Sequence, residues 1–392
     1  MTNTRTAGPA GILGLHHITL VASSAQRTAD FYTRVLGLRL VKTTVNFDDP
    51  GSYHLYFADE RGSAGTVITF FEWPGAPRGR PGIGGTHHVA LRVRDREGML
   101  RWKRRLTDLG LRIIGPYDRH YFTSIYFRDP DGVVLEIATD GPGMLIDEPT
   151  ETVAQRAPPP ALVRGGRDED AIAALTWPEP VSRIDPAMSL LGGMHHITAM
   201  SSNVDRTDEF LRGVLGMSLV NRTENFDDPG KRHWSWGAAD ARPGSLITYL
   251  ERDATDGRAS MGTGQGHHYA LAVADDVSQA EFRDRLLSAG LPASPVMDRV
   301  YFRSVYTRDP DGHIVELATM GPGFLVDEPA ETTGDTLRLP PWLEAHRDDI
   351  SERLTGLERS GWPNDGSNPE RGVMSHPRAA LHASDEAAGA AS

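Results

Sequence analysis

Residues 14–22 read GLHHITLVA, and the pattern returns as THHVALRV at 86–93, GMHHITAMS at 193–201 and GHHYALAV at 266–273. Each is a short, mostly apolar run carrying a histidine pair, His16-His17, His87-His88, His195-His196 and His267-His268, and each reads as a buried strand. Successive side chains on a strand face opposite sides, so one histidine of each pair is expected to point inward. The second and fourth pairs are followed at the same distance by a glutamate, Glu136 in VVLEIAT and Glu316 in HIVELAT.

Working outward, the chain superimposes on itself with a shift of about 180 residues. His16 falls on His195, NFDDPG at Asn46 on NFDDPG at Asn225, His87 on His267, and Glu136 on Glu316; from Asp118 to Pro149 against Asp298 to Pro329, 21 of 32 positions are identical. A period this long means two homologous halves rather than a solenoid. Each half subdivides. Gly14 to Trp73 predicts a strand, a helix from about Ser24 to the glycine of VLGL, and three strands. Thr86 to Thr139 repeats the order, its helix running from about Arg96 to Gly110 and its last two strands joined by the Asp129 to Gly132 turn. The expected fold is α+β: four βαβββ modules, roughly 16–73, 87–140, 195–251 and 267–320, in two homologous halves that pair into open-barrel metal-binding domains. The halves span 12–148 and 191–328. Between them, 149–190 reads as a Pro/Ala/Arg/Asp-rich linker with room for one short helix, and 329–392 as a C-terminal extension, disordered after about 358.

Composition narrows the chemistry. The net charge is −12 and no Lys/Arg cluster is dense enough to follow a phosphate backbone, so nucleic acid is not an expected partner. No apolar run approaches a membrane span and no hydrophobic leader opens the sequence, which makes the cytoplasm the default location. Cysteine is absent, excluding disulfides, thiolate sites and cysteine nucleophiles. A metal here must be held by histidine and carboxylate.

Two imidazoles and one carboxylate on separate strands make a facial triad, which suits non-haem Fe(II) binding both a substrate and O2; Mn(II) fits the same set. Zinc hydrolysis is disfavoured because the HExxH helix is missing. Glu136 and Glu316 sit in apolar runs where an unpaired carboxylate would cost several kcal/mol, and a cation is the natural remedy. Glu72 and Glu251 stand near the ends of TVITFFEW and SLITYLER, but the position equivalent to the triad glutamate is Thr69 or Thr248, so one carboxylate per site is preferred. Three further polar pairs repeat, Thr19/Thr198, Arg119/Arg299 and Tyr126/Tyr306. The DPDG and NFDDPG motifs read as turns.

With these modules in place, the chain resembles, over about 300 residues, the vicinal oxygen chelate superfamily of glyoxalases, extradiol dioxygenases and bleomycin-resistance proteins. GLHHITL, FYTRVLGLRLVKTTVNFDDPGSYHLYFAD, GTVITFFE and YFRSVYTRDPDG look in particular like bacterial dioxygenases that open hydroquinones and chlorinated hydroquinones. The resemblance implies iron ligands at His17, His268 and Glu316, with supporting or substrate-contact roles for His16, Thr19, His267, Arg299 and Tyr306. Those enzymes generally keep one site, whereas this chain retains His88, Glu136 and His196. A second triad follows, surrounded by His87, His195, Arg119, Thr198 and Tyr126. Pairing within each half is the alternative; the crossed arrangement is favoured because single-site relatives keep the ligands of the outer modules. The implied activity is Fe(II)-dependent ring cleavage of hydroquinone-type or catecholic aromatics, with a small aromatic and O2 as partners and a homo-oligomer compatible with the sequence. The alternatives are a Ni(II) or Zn(II) glyoxalase-like lyase or isomerase, which would need a second glutamate, and an aromatic-compound binding or resistance protein.

Overall fold

The computed structural model describes residues 11–147 and 153–359. The first module comprises β1 (Gly14–Ala22), α1 (Ala25–Asp30), β2 (Arg39–Asn46), β3 (Asp49–Ala58) and β4 (Val67–Glu72); the second β5 (Thr86–Val93), α2 (Arg96–Asp108), β6 (Ile114–Asp118), β7 (Thr123–Arg128) and β8 (Val134–Thr139). A short α3 (Glu169–Ala174) lies in the connecting stretch. The third module is β9 (Met194–Ser201), α4 (Val204–Asp208), β10 (Ser218–Glu224), β11 (Arg232–Gly237) and β12 (Leu246–Glu251); the fourth is β13 (Gly266–Val273), α5 (Asp276–Ser288), β14 (Met297–Asp298), β15 (Arg303–Arg308) and β16 (Ile314–Thr319), after which α6 (Arg347–Arg353) follows. The four βαβββ modules and the α+β class are thus as the sequence predicts.

The strands form two eight-stranded sheets, ordered β14-β15-β16-β13-β1-β4-β3-β2 and β10-β11-β12-β9-β5-β8-β7-β6. The first joins modules one and four through antiparallel β1 and β13, the second joins modules two and three through β5 and β9. Pairing is therefore crossed: each sheet takes one module from each half of the sequence. The end strands of a sheet do not pair with each other, which leaves each sheet open.

Period-two alternation divides the faces. Ile18 and Leu20 of β1, Tyr269 and Leu271 of β13, and Val315 and Leu317 of β16 point into one core built from all four modules and the helices. On α2, Met99, Trp102 and Leu106 fall on one face by helical spacing and are fully buried there, and the Trp102 indole donates to the Met188 carbonyl at 2.7 Å. The opposite faces of the sheets carry the polar residues.

Consecutive modules are locked by the DPDG turns. The Asp131 carboxylate accepts from the Ser23 backbone at 2.9 Å and from Arg27 at 2.6 Å, and Asp311 accepts from Ser202 at 2.8 Å in the equivalent place. Gly264 and Gly84 make this approach feasible. Both have positive φ, +77° and +78°, and a Cβ would lie 2.2 Å from the Asp131 carbonyl oxygen or 2.4 Å from that of Asp311.

The stretch between the halves and the C-terminal extension play matching parts. Arg156 bridges Thr223 of β10, and Leu337 bridges Thr43 of β2, so each segment runs along the far edge strand, contributed by the other half, of the sheet in which its own half ends. Described residues of the extension reach 359; the rest of the stretch expected to be disordered, and the boundary at 148/149, lie outside the described residues.

Candidate metal centre

Strict alternation along the histidine strands does not hold. In the β1/β13 ladder His17 pairs with Ala270 directly after Leu15 with Leu271, and Leu20 pairs with Gly266 after Thr19 with His268. His16 and His267 are therefore extra, bulged residues; His87 and His195 are the bulged residues of the β5/β9 ladder. A bulge re-aims side chains. It brings both rings of each pair together, Nδ1 to Nδ1, at 2.9 Å for His16/His17, 2.7 Å for His87/His88, 2.8 Å for His195/His196 and 2.8 Å for His267/His268. The expectation of one inward histidine per pair is corrected accordingly, because an inserted residue resets the period.

The second histidines converge on the glutamates. In the first sheet, the Nε2 atoms of His17 and His268 lie 3.3 and 2.9 Å from Glu316 Oε2 and 3.3 Å from each other. In the second, those of His196 and His88 lie 3.2 and 2.8 Å from Glu136 Oε2 and 3.2 Å apart. All six residues are buried. Burial pushes the glutamate carboxyls up, and positive charge at the neighbouring histidine rings would outweigh it and bring both well below the ordinary carboxylate range.

Hydrogen bonding does not satisfy these clusters. Both oxygens of Glu136 and Oε2 of Glu316 have no aligned donor despite their burial, although imidazole nitrogens stand beside them. The tautomers explain why. His16 lies beside the Thr319 backbone, and His195 beside that of Thr139, each placed for a ring N–H to donate to a carbonyl. Each of these rings then offers an unprotonated Nδ1 to its neighbour, so His17 and His196 carry their proton on Nδ1 and present a bare Nε2 to the glutamate. Lone pairs facing a carboxylate repel unless a cation lies between them. Two neutral nitrogens and one carboxylate fit a divalent metal in both places.

Other predicted residues surround the triads. Thr19 Oγ1 lies 3.0 Å from His268 Nε2 and 2.8 Å from Thr69 Oγ1; Thr198 stands 2.9 Å from His88 Nε2 and 2.7 Å from Thr248. The hydroxyl of Thr69 or Thr248 thus occupies the place where a second carboxylate would supply a fourth ligand. Glu72 and Glu251 are engaged elsewhere, accepting from the backbone of Ala25 at 2.7 Å and from the Arg232 guanidinium at 2.8 Å. Tyr306 and Tyr126 sit in register with Glu316 and Glu136 on neighbouring strands. Burial, above all, pushes both phenols up, so they keep their protons. Arg299 Nε donates to Tyr306 Oη at 3.3 Å, and the Arg119 guanidinium lies 5.4 Å from the Tyr126 ring centre. Burial lowers His16, His195 and His267 to about 3 and holds His87 well down, leaving all four neutral near pH 7.

Several participants escaped the sequence reading. His54 Nε2 lies 2.8 Å from Thr69 Oγ1 and His233 Nε2 3.2 Å from Thr248 Oγ1; both are half-buried, and desolvation of their rings lowers their affinity for a proton. They fall on each other in the 180-residue superposition, the signal that could have found them. The NFDDPG loops are turns, but Asp48 also holds Arg299 at 3.2 Å and Asp227 holds Arg119 at 2.9 Å. Arg167, from the stretch read as a linker, joins Asp227 at 2.6 Å. Beside the second triad lies a cavity of about 620 Å³, lined by Arg119, Tyr126, His87 and His233 among others.

The model of the Glyoxalase/Bleomycin resistance protein/Dioxygenase superfamily matches residues 14–137 and 193–317. The chain is 35% identical to a Bacillus subtilis (strain 168) protein named "Putative ring-cleaving dioxygenase MhqO", over 88% of this chain and 97% of that one. It is 30% identical to the chlorohydroquinone/hydroquinone 1,2-dioxygenase of Sphingobium indicum, over 87% and 96%. The crystal structure of a Bacillus subtilis "putative dioxygenase" superimposes with a TM-score of 0.71 at 32% identity, covering 89% of this chain and 98% of that one. Glyoxalase I of Zea mays shares the fold, with a TM-score of 0.52 at 15% identity, covering 78% and 92%. The duplicated modules, the crossed sheets and these matches agree: the chain belongs to the glyoxalase/bleomycin resistance protein/dioxygenase superfamily.

Proposed function

We propose that the protein is an Fe(II)-dependent ring-cleaving dioxygenase acting on hydroquinone-type or catecholic aromatics. One observation carries the reading: a buried two-histidine, one-glutamate cluster with unsatisfied ligand atoms opens onto a cavity large enough for a substituted benzene ring and furnished with an arginine and a tyrosine. His17, His268 and Glu316 would hold one ion, and His196, His88 and Glu136 the other; Mn(II) is the second metal the donor set suits. Bound there, the metal would supply Lewis acidity toward a ring oxygen and the redox chemistry that joins the ring to O2.

The chain's own groups prepare the ring. A ring hydroxyl loses its proton on binding, and the neutral imidazoles of His87 and His267 line their cavities as hydrogen-bonding groups beside it. Arg119 or Arg299 stabilises the resulting negative charge, each held in place by its aspartate. Tyr126 and Tyr306 retain their protons and act as hydrogen-bond donors. Thr19 and Thr198 fix the imidazoles of His268 and His88. Phe302 and Phe122 pack against His17 and His196 at centroid distances of 5.2 and 5.3 Å, shielding the ligands from water.

A lyase of the glyoxalase type has less support, because its second glutamate is a threonine hydroxyl at both centres and Glu72 and Glu251 are committed to other partners. Anaerobic loading with Fe(II), followed by O2 uptake with hydroquinone, methylhydroquinone and catechol, tests the proposal. A ring-opened product with stoichiometric O2 uptake is expected. Retention of nickel or zinc, with no O2 consumed on any of the three rings, would sink it.

A further inference from the structure

The two centres share ligands but not space. Beside the first triad the enclosed volume is about 30 Å³, and an adjoining recess of about 390 Å³ shares His268, Arg299, Tyr306 and Phe71 with it and reaches His267. Beside the second, about 620 Å³ is continuous up to His88 and His196. Two exchanges between the repeats account for the difference. Tyr56, whose hydroxyl meets His54 Nδ1 at 2.9 Å, corresponds to Ser235; Phe71, with its ring 4.3 Å from that of His54, corresponds to Leu250. Two aromatic rings that fill the first site are absent from the second.

Charge differs as well. Although the chain carries a net −12, five arginines line the second cavity against two free-standing acids, Asp227 and Glu169. Both acids are already spent: Arg119 and Arg167 share Asp227, and Arg167 also reaches Glu169 at 3.1 Å. That leaves Arg128, which donates to the Gly132 carbonyl at 2.7 Å, Arg252, which meets the Asp228 carboxylate at 3.9 Å, and Arg164, which has no acid partner among the described residues. A guanidinium without an acid partner and a second held only at 3.9 Å from one, on the wall of the same cavity, suit recognition of a planar anion, ideally a carboxylate in bidentate contact.

We infer that the second centre, His196/His88/Glu136, is the one that takes ring-substituted substrates, and that its preferred class is a dihydroxylated benzene bearing an anionic substituent such as a carboxylate, with Arg164 and Arg252 as the specificity residues. This rests on the ring-cleaving reading. Cleavage of such a ring breaks one ring C–C bond and delivers the two atoms of one O2 to the severed carbons; the carboxylate is a spectator and no added reductant is needed.

The test is anaerobic equilibrium dialysis of 2,5-dihydroxybenzoate and of hydroquinone against the full-length, Fe(II)-loaded protein. One 2,5-dihydroxybenzoate per chain is expected. In the double variant Arg164→Ala/Arg252→Ala its affinity falls about tenfold or more, while that of hydroquinone changes by less than about twofold. Ser235→Tyr, which restores the aromatic ring of the first site, lowers 2,5-dihydroxybenzoate binding by at least as much; the arginine variant, altering side chains on the cavity wall, keeps the test decisive if the tyrosine variant fails to fold. Two equivalents bound, equal losses for both rings, or no loss in the arginine variant would overturn the inference. Binding that follows this pattern without O2 uptake would remove the dioxygenase reading and leave the assignment of the cavity; hydroquinone cleavage without 2,5-dihydroxybenzoate binding would do the reverse.

Discussion

Replacing His16 by leucine is expected to weaken the first metal centre without touching its ligands. His17 is 2% exposed, and its Nδ1 proton has one acceptor, His16 Nδ1 at 2.9 Å. Without that acceptor a buried N–H is left unpaired, at a cost of about 1–3 kcal/mol, or the ring adopts the other tautomer and surrenders the Nε2 lone pair that faces Glu316. Either route lowers metal affinity by about 10–100-fold, the usual consequence of removing an outer partner of a histidine ligand and equal to about 1.4–2.7 kcal/mol. The assay is chelator competition in a Glu136→Gln background, which isolates the first centre. His16→Gln, whose side-chain carbonyl can accept the proton, is expected to recover part of the loss. Unchanged affinity in His16→Leu would refute the tautomer argument.

Further predictions concern stability. Asp129 is buried and lifted from 3.8 to about 7 by that burial and by Asp131, against the backbone donors Val133 and Asp131 and the Tyr32 hydroxyl. Its folded form holds a proton that the unfolded chain has already released, so stability falls as pH rises from about 4 to 7, by at most about 4 kcal/mol. Urea unfolding at pH 5 and pH 8 should show Asp129→Asn losing less stability than the parent over that interval; parallel losses would count against it. Lys42 is fully buried between Asp327, at 2.6 Å, and Glu328. Lys42→Met removes the buried cation of the 3%-exposed Glu328, which keeps Arg338 at 3.1 Å, and should cost about 1.5–3 kcal/mol in urea unfolding, with Lys42→Met/Glu328→Gln recovering part of it. A double variant as unstable as the single one would show that the loss comes from packing instead.

Much of the site could be read from local pattern. The histidine pairs and the two glutamates stand out because a strand repeats every two residues and the chain repeats every 180 or so, and those six residues do gather in two clusters. Which strand meets which is a different matter: β1 could pair with β5 as well as with β13 on composition alone, and the choice depends on contacts some 250 residues apart in sequence. Bulges were invisible for a similar reason. His16 and His87 look like any strand residue until the partner strand is seen to lack a counterpart. Asp48 and Asp227 read as turn residues because a turn is what they make locally, while their ion pairs with Arg299 and Arg119 cross between modules. The Pro/Ala-rich stretch read as a linker by composition, yet Lys103 anchors its helix through three backbone carbonyls, at 3.1 Å to Ile172, 2.9 Å to Ala173 and 2.7 Å to Leu175, and its arginines border the second cavity.

That one chain holds two complete, crossed metal centres is tested most directly by metal counting on the parent and four variants. After anaerobic Fe(II) loading and removal of loose metal, the parent should hold two ions per chain and Glu136→Gln and Glu316→Gln one each, with His196→Ala matching Glu136→Gln and His17→Ala matching Glu316→Gln. One ion in the parent, unaffected by Glu136→Gln, would contradict it.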